Sequence, residues 1–157
     1  MIRIVTKLLF TAFLLFNTQG LLAQVAKGDD LYGEIMKADS LLFEAGFNNC
    51  ELEALEGIMD SSLEFYHDLS GITSGKDEYI DGILNTICSL DYRPKRKLVE
   101  VEIYPLKSNG EVYGAIQKGV HEFYALEEGK APYLTNTARF TNLWIRKKKG
   151  NGSYEMC

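Results

Sequence analysis

Histidine is scarce in this chain. Only His67 and His121 occur among 157 residues. No HxH or HExxH spacing can form from them, so no motif-built metal centre is expected. Three cysteines, Cys50, Cys88 and Cys157, are odd in number and fit no zinc-knuckle spacing. The apolar run Leu8–Phe16 is well short of the roughly 20 residues a membrane-spanning helix needs. No internal repeat and no low-complexity linker divides the chain, so its length corresponds to one domain with a real core. Positive charge is also in the minority, with 17 Lys and Arg against 22 Asp and Glu. A net-acidic chain is a poor candidate for binding nucleic acid or an anionic membrane surface.

What the sequence does contain begins with a leader pattern. Arg3 and Lys7 form a positive segment, Leu8–Phe16 an apolar one, and Gly20-Leu21-Leu22-Ala23 offers a small residue for cleavage. This reads as a signal peptide over 1–23 and a domain over 24–157. Export follows as the expectation, with no membrane attachment after cleavage. No cysteine follows the apolar run, which argues against a lipid anchor. Removing 1–23 leaves 15 basic against 22 acidic side chains, a balance of −7.

The remainder opens with helical periodicity. Asp29 or Asp30 can cap a helix whose apolar stripe is Leu31, Ile35, Ala38, Leu41, Leu42 and Ala45, with Gly46 as its stop. Asn48-Asn49-Cys50-Glu51 fits a capping box for a second helix carrying Leu52, Leu55, Ile58 and Met59. Leu63–His67 reads as a short strand, broken at Asp68–Gly71, before Ser74 caps a third helix over about Lys76–Leu90. Cys50 and Cys88 fall in these helices, as buried thiols or as a disulfide. The basic run Arg93–Lys97 then closes the helical region. From Val99 the period becomes two: Val99, Val101 and Ile103 are expected inward, between Glu100 and Glu102. Asn109-Gly110 marks a hairpin, Glu111–Leu126 the return strand, and Thr135–Lys148 a third long strand. A turn at Lys149–Gly152 precedes a stub, Tyr154–Cys157, expected as a shortened final strand. Helices first and strands last argue for α+β: a curved antiparallel sheet wrapped over three N-terminal helices as a cone-shaped barrel.

That order, with FYHDLSGITSGKDEYI, GVHEFY and RFTNLWIRKKKGNGSYE, resembles the nuclear transport factor 2-like superfamily. The similarity is greatest to its exported bacterial branch, near SnoaL-like cyclases and ketosteroid isomerases. The resemblance runs from about Leu31 to the C-terminus. It implies a pocket at one end of the cone, a homodimer through the sheet, and a periplasmic or secreted protein of a Gram-negative bacterium. It does not choose a reaction, because this fold carries isomerases, cyclases, dehydratases and plain binding modules.

Within this frame His67 and His121 are the candidate acid–base groups, since imidazole titrates near neutral pH. Asp68 is the carboxylate nearest His67 in sequence. It can join His67 only if the strand turns there, because neighbours along a strand face opposite ways. His121 is expected to share a strand face with Tyr113, Gln117 and Phe123. Tyr66, Tyr113, Phe123, Tyr124, Phe140 and Trp144 are candidate walls for a flat ligand, and Arg139 could meet an acidic one. No cofactor or metal is expected. Three readings follow in order: a small-molecule-binding domain, an acid–base enzyme using His67 or His121, and a dimeric assembly domain.

Overall fold

Residues 24–147 and 153–157 are described in a computed structural model of the chain. The leader expected over 1–23 and the turn expected over Lys149–Gly152 lie outside these residues.

Asp29 caps the first helix, α1 (Asp30–Ser40), by accepting a hydrogen bond from the Leu31 amide at 2.9 Å. Leu31, Ile35, Ala38 and Leu42 are buried as the periodicity requires, whereas Leu41, expected with them, is exposed and Ala45 half-buried. Gly46 does not stop the helix. The chain continues from α1 as a π-helical segment, Leu41–Asn48. A Cβ on Gly46 would lie 2.3 Å from Leu55 Cδ2, so this glycine serves close packing and not termination. The expected second helix is cut to one turn, α2 (Glu53–Glu56). The Asn48 side chain, assigned above to its cap, is engaged elsewhere. Leu55, Ile58 and Met59 are nevertheless buried.

The short strand β1 (Glu64–His67) pairs with a strand the sequence reading did not contain, β2 (Gly71–Ser74), as an antiparallel hairpin. Because Ser74 pairs with Glu64, it does not cap α3 (Lys76–Thr86). Gly75, at φ 99°, takes that place without a side-chain cap. No residue of α3 is fully buried.

The large sheet is β3 (Arg93–Ser108), β4 (Glu111–Leu126), β5 (Tyr133–Arg146) and β6 (Tyr154–Met156), antiparallel in sequence order. It is curved and does not close on itself, giving the expected α+β arrangement. The three-residue β6 pairs with the end of β5, and Met156 reaches back to bond Ile58 and Asp60. Ile103, Ala115, Trp144, Tyr154 and Met156 meet the buried stripe of α1 to form the core.

Two irregularities set which side chains face inward. Between Leu98 and Glu100 the pairing of β3 with β4 slips by one residue, leaving Val99 unpaired and 46% exposed instead of inward. Arg96 and Leu98 therefore lie across from Phe123 and His121, while Val101 and Ile103 lie across from Gly119 and Gln117. At Gly119 a Cβ would sit 2.0 Å from the Glu100 carbonyl oxygen, so only glycine fits beside the bulge. A second slip between Leu106 and Lys107 drops Tyr113 from the inward set.

Candidate functional site

The inward face of β4 carries Gln117 and His121, and α1 brings Asp39 over them. Asp39 is the position four residues after Ile35, so it rides on the apolar stripe and is buried with it. Arg96 lies across the sheet on β3. Its two terminal nitrogens donate to the two carboxylate oxygens of Asp39, at 2.7 and 3.1 Å. Gln117 Nε2 donates to the same carboxylate at 2.8 Å. Gln117 Oε1 in turn accepts from Trp144 Nε1 at 2.8 Å and from Asn142 at 3.3 Å. A buried ion pair requires such added partners, since removing two charges from water costs several kcal/mol per ion.

Arg96 Nε donates to His121 Nδ1 at 3.3 Å. Arginine has no acceptor and keeps its protons, so His121 Nδ1 must be the bare nitrogen and Nε2 must carry the hydrogen. Among the described residues, then, Nε2–H has no protein acceptor. Burial first, then the Arg96 charge, hold the imidazole pKa down to about 4, against a weaker upward pull from Asp39. At neutral pH His121 is an uncharged donor.

Aromatic rings enclose this pair of side chains. Phe140 stacks on His121 at 4.8 Å between ring centres, and Phe123 and Phe43 meet it edge-on at 4.6 and 5.7 Å. Phe43 also lies under the Arg96 guanidinium, 3.8 Å away, and Phe47 continues the wall to Phe123. The four phenylalanines are only half-buried. Asn48, at the end of the π-helical segment, holds the Arg96 backbone from both sides: its Oδ1 accepts from the Arg96 amide at 2.6 Å and its Nδ2 donates to the Arg96 carbonyl at 3.2 Å. A π-helical turn is a common way to aim side chains at a site, and here it brings Phe43, Phe47 and Asn48 to one place.

The residues named from sequence divide into two groups. His121 and Phe123 belong to this cluster. His67 does not: it sits on the β1–β2 hairpin, exposed, and its Nδ1 accepts from the Leu69 and Ser70 amides at 3.1 and 3.2 Å. Asp68 approaches the same nitrogen at 3.5 Å, but a nitrogen that accepts two amides carries no proton to share. The pair is a turn-former and not a catalytic dyad. Tyr66 is exposed and bonds Glu64; Tyr113 is exposed by the register slip. Tyr124 faces the other side of the sheet and bonds Glu122. Trp144 is sealed in the core by its bond to Gln117, out of a ligand's reach. Arg139 lies on the outer face, in an open groove of about 650 Å³ with Lys27 and Lys118. The sequence reading missed Asp39, Arg96, Phe43 and Phe47, while Phe140, named there as a possible stacking ring, lies on His121.

No protein family and no curated protein matches at the level of sequence. Solved structures do match. Aln2 from a Streptomyces species superposes with a TM-score of 0.70 at 11% identity, covering 82% of this chain and 87% of that one. A nuclear transport factor 2-like superfamily protein from Salmonella enterica gives 0.62 at 13% identity, covering 79% and 84%. This chain has the nuclear transport factor 2-like fold. A type 2 hexachlorocyclohexane dehydrochlorinase, LinA, shares this fold at a TM-score of 0.62 and 16% identity, over 80% and 79% of the two chains. In the nuclear transport factor 2-like frame the His121 cluster occupies the hollow side of the sheet, beneath α1 and its π-helical extension.

Proposed function

We propose that this is a small-molecule-binding domain whose ligand sits against Phe43, Phe47, Phe123 and Phe140 and accepts a hydrogen bond from His121 Nε2. The observation that carries it is the Nε2–H that no described residue engages, at the edge of a half-buried aromatic wall. Aromatic faces suit a flat apolar body, and one fixed donor suits a single acceptor such as a carbonyl. The ligand is not an anion held by Arg96. All three guanidinium nitrogens are already directed, two at Asp39 and one at His121, and the flat face rests on Phe43. Export by the 1–23 leader and pairing of two copies through the outer sheet face complete this reading.

Enzymatic use of the same site is the second reading, and the tautomer narrows it. His121 cannot serve as a base through Nδ1, which Arg96 occupies, nor through Nε2, which is protonated. It can polarise a carbonyl by donation, which is electrostatic assistance and not proton abstraction. The probe for both readings is 9-fluorenone, a flat neutral ketone, titrated while the imidazole signals are followed by NMR. Saturable binding that moves the His121 signals and leaves those of His67 in place is expected. Binding that leaves His121 unmoved, or no saturable binding by this or other flat neutral ketones, overturns the proposal.

A further inference from the structure

The two ends of α3 are held by different means. At its N-terminal end the Gly75 amide donates to the Leu63 carbonyl at 2.7 Å, Lys76 pairs with Glu56 at 2.6 Å, and Tyr79 packs edge-on against Phe65 at 5.1 Å. Tyr79 and Ile80 are its contributions to the core. Its C-terminal half makes no side-chain hydrogen bond or ion pair to another element among the described residues, and only Ile83, with Ile87 at its cap, is half-buried there. Leu84, Asn85 and Thr86 are exposed, Leu84 by 48%. What holds this half is covalent: Cys88, just past the helix end, is bonded to Cys50.

Cys50 is no neutral attachment point. It stands two residues after Asn48, the side chain that grips the Arg96 backbone. Arg93 ties the same stretch down, donating to the Asn48 carbonyl at 3.3 Å and to the Asn49 side chain at 2.8 Å. Cys50 itself has φ 56°, a left-handed backbone that a side chain other than glycine adopts at a cost. The disulfide also lines an open groove of about 640 Å³, together with Ile87, Leu90, Tyr92 and Leu126, and Cys50 is exposed there. A reductant can therefore reach the bond.

We infer that the Cys50–Cys88 disulfide is a redox-operated latch, which pins the free end of α3 to the π-helical wall and whose reduction by a dithiol releases both. The thiolate of the reductant attacks Cys50 Sγ, and Cys88 leaves as a thiolate that takes up a proton. The second thiol of the reductant then displaces Cys50 as its own thiol, and the reductant ends as a disulfide. Two electrons pass to the protein. The chain 49–51 keeps its bonds to Arg93 and Ala45 but loses its covalent link to α3. Its left-handed residue can relax, and the hold of Asn48 on Arg96, and so of Arg96 on His121, loosens. This follows whatever the aromatic wall binds, so its test needs no ligand.

The test compares oxidised protein, protein reduced with dithiothreitol, and the double variant Cys50→Ser/Cys88→Ser, all in a Cys157→Ser background that removes the remaining thiol. Hydrogen exchange reads the α3 amides, and NMR reads the two imidazoles. Reduction is expected to speed exchange over the second half of α3 by at least about tenfold. The His121 signals should shift, while His67 and the amides of β4 and β5 stay as they were. The double variant should match the reduced protein and ignore dithiothreitol. Equal α3 protection in both states overturns the latch, as does faster α3 exchange with His121 unmoved. Loss of protection throughout β4 and β5 overturns it too, because the bond would then be a staple of the whole fold.

Discussion

The π-helical wall with its sheet partners and the β1–β2–α3 unit are built from similar side chains, aromatics beside ionisable groups, yet they use them in opposite ways. In the first, Asp39, Arg96, Gln117 and His121 are buried and bonded to one another across three elements. In the second, His67, Asp68, Tyr66 and Lys76 bond only to near neighbours or across exposed surface, and Leu69 projects from the hairpin tip 85% exposed. A polar group becomes structurally costly to lose only where water cannot replace its partner. The first region should therefore be brittle to substitution and the second forgiving.

The sharpest test of that contrast is Asp39→Ala beside His67→Ala. Removing Asp39 leaves the Arg96 charge buried without its counterion, expected to cost about 3–5 kcal/mol of folding stability. His67→Ala should leave the urea midpoint where it was, because water can take over both turn amides. Equal midpoints for the two variants would erase the distinction.

Acidification should separate the regions next. His121 has a folded pKa near 4, below the ordinary value of 6.5. Between those values the unfolded chain binds a proton that the folded one refuses, so stability falls as pH is lowered from about 6.5 to 4. The full shift corresponds to a loss on the order of 3 kcal/mol. His121→Gln keeps an acceptor for Arg96 and cannot titrate, so its stability should be flatter across that window. The measurement is urea unfolding at steps from pH 7 to 4; parallel curves for the two proteins would contradict the buried neutral imidazole.

The smallest effect concerns α3. Gly82 lies in the middle of this helix, and a Cβ there would meet nothing within 4 Å. Gly82→Ala should stabilise by about 0.5–1 kcal/mol through helix propensity alone. A loss of stability in thermal melts would mean that α3 packs more tightly than its exposure indicates.

Much of the frame was readable in the chain. The stripe Leu31–Ile35–Ala38–Leu42 and a cap at Asp29 or Asp30 rest on local geometry, which sequence records best. The change to period two is legible only from Val99, six residues late, because the strand already begins in the basic run at Arg93. The shared face of Gln117, His121 and Phe123 followed from simple alternation, which also counted Tyr113 and did not say whether that face turned inward. What escaped were the residues whose role depends on distant partners. Arg96 stood in a basic run that read only as the close of the helical region, because its partner Asp39 is 57 positions away. One signal did exist: a carboxylate four residues from Ile35, on an apolar stripe, demands a cation. His67 erred the other way. A histidine at a strand end can be a catalytic group or one bonded to loop backbone, and the two amides that donate to its Nδ1 show the second.

One unpaired valine governs which half of β3 the hollow receives. Counting from either end of that strand gives a different parity for the inward side chains, and Val99 is where the two counts are reconciled. Excise it and the strand would have to choose: keep Ile103 in the core and turn the guanidinium of Arg96 out to water, or the reverse. The position of the charge facing His121 is thus encoded by a residue that stands opposite no partner in the sheet.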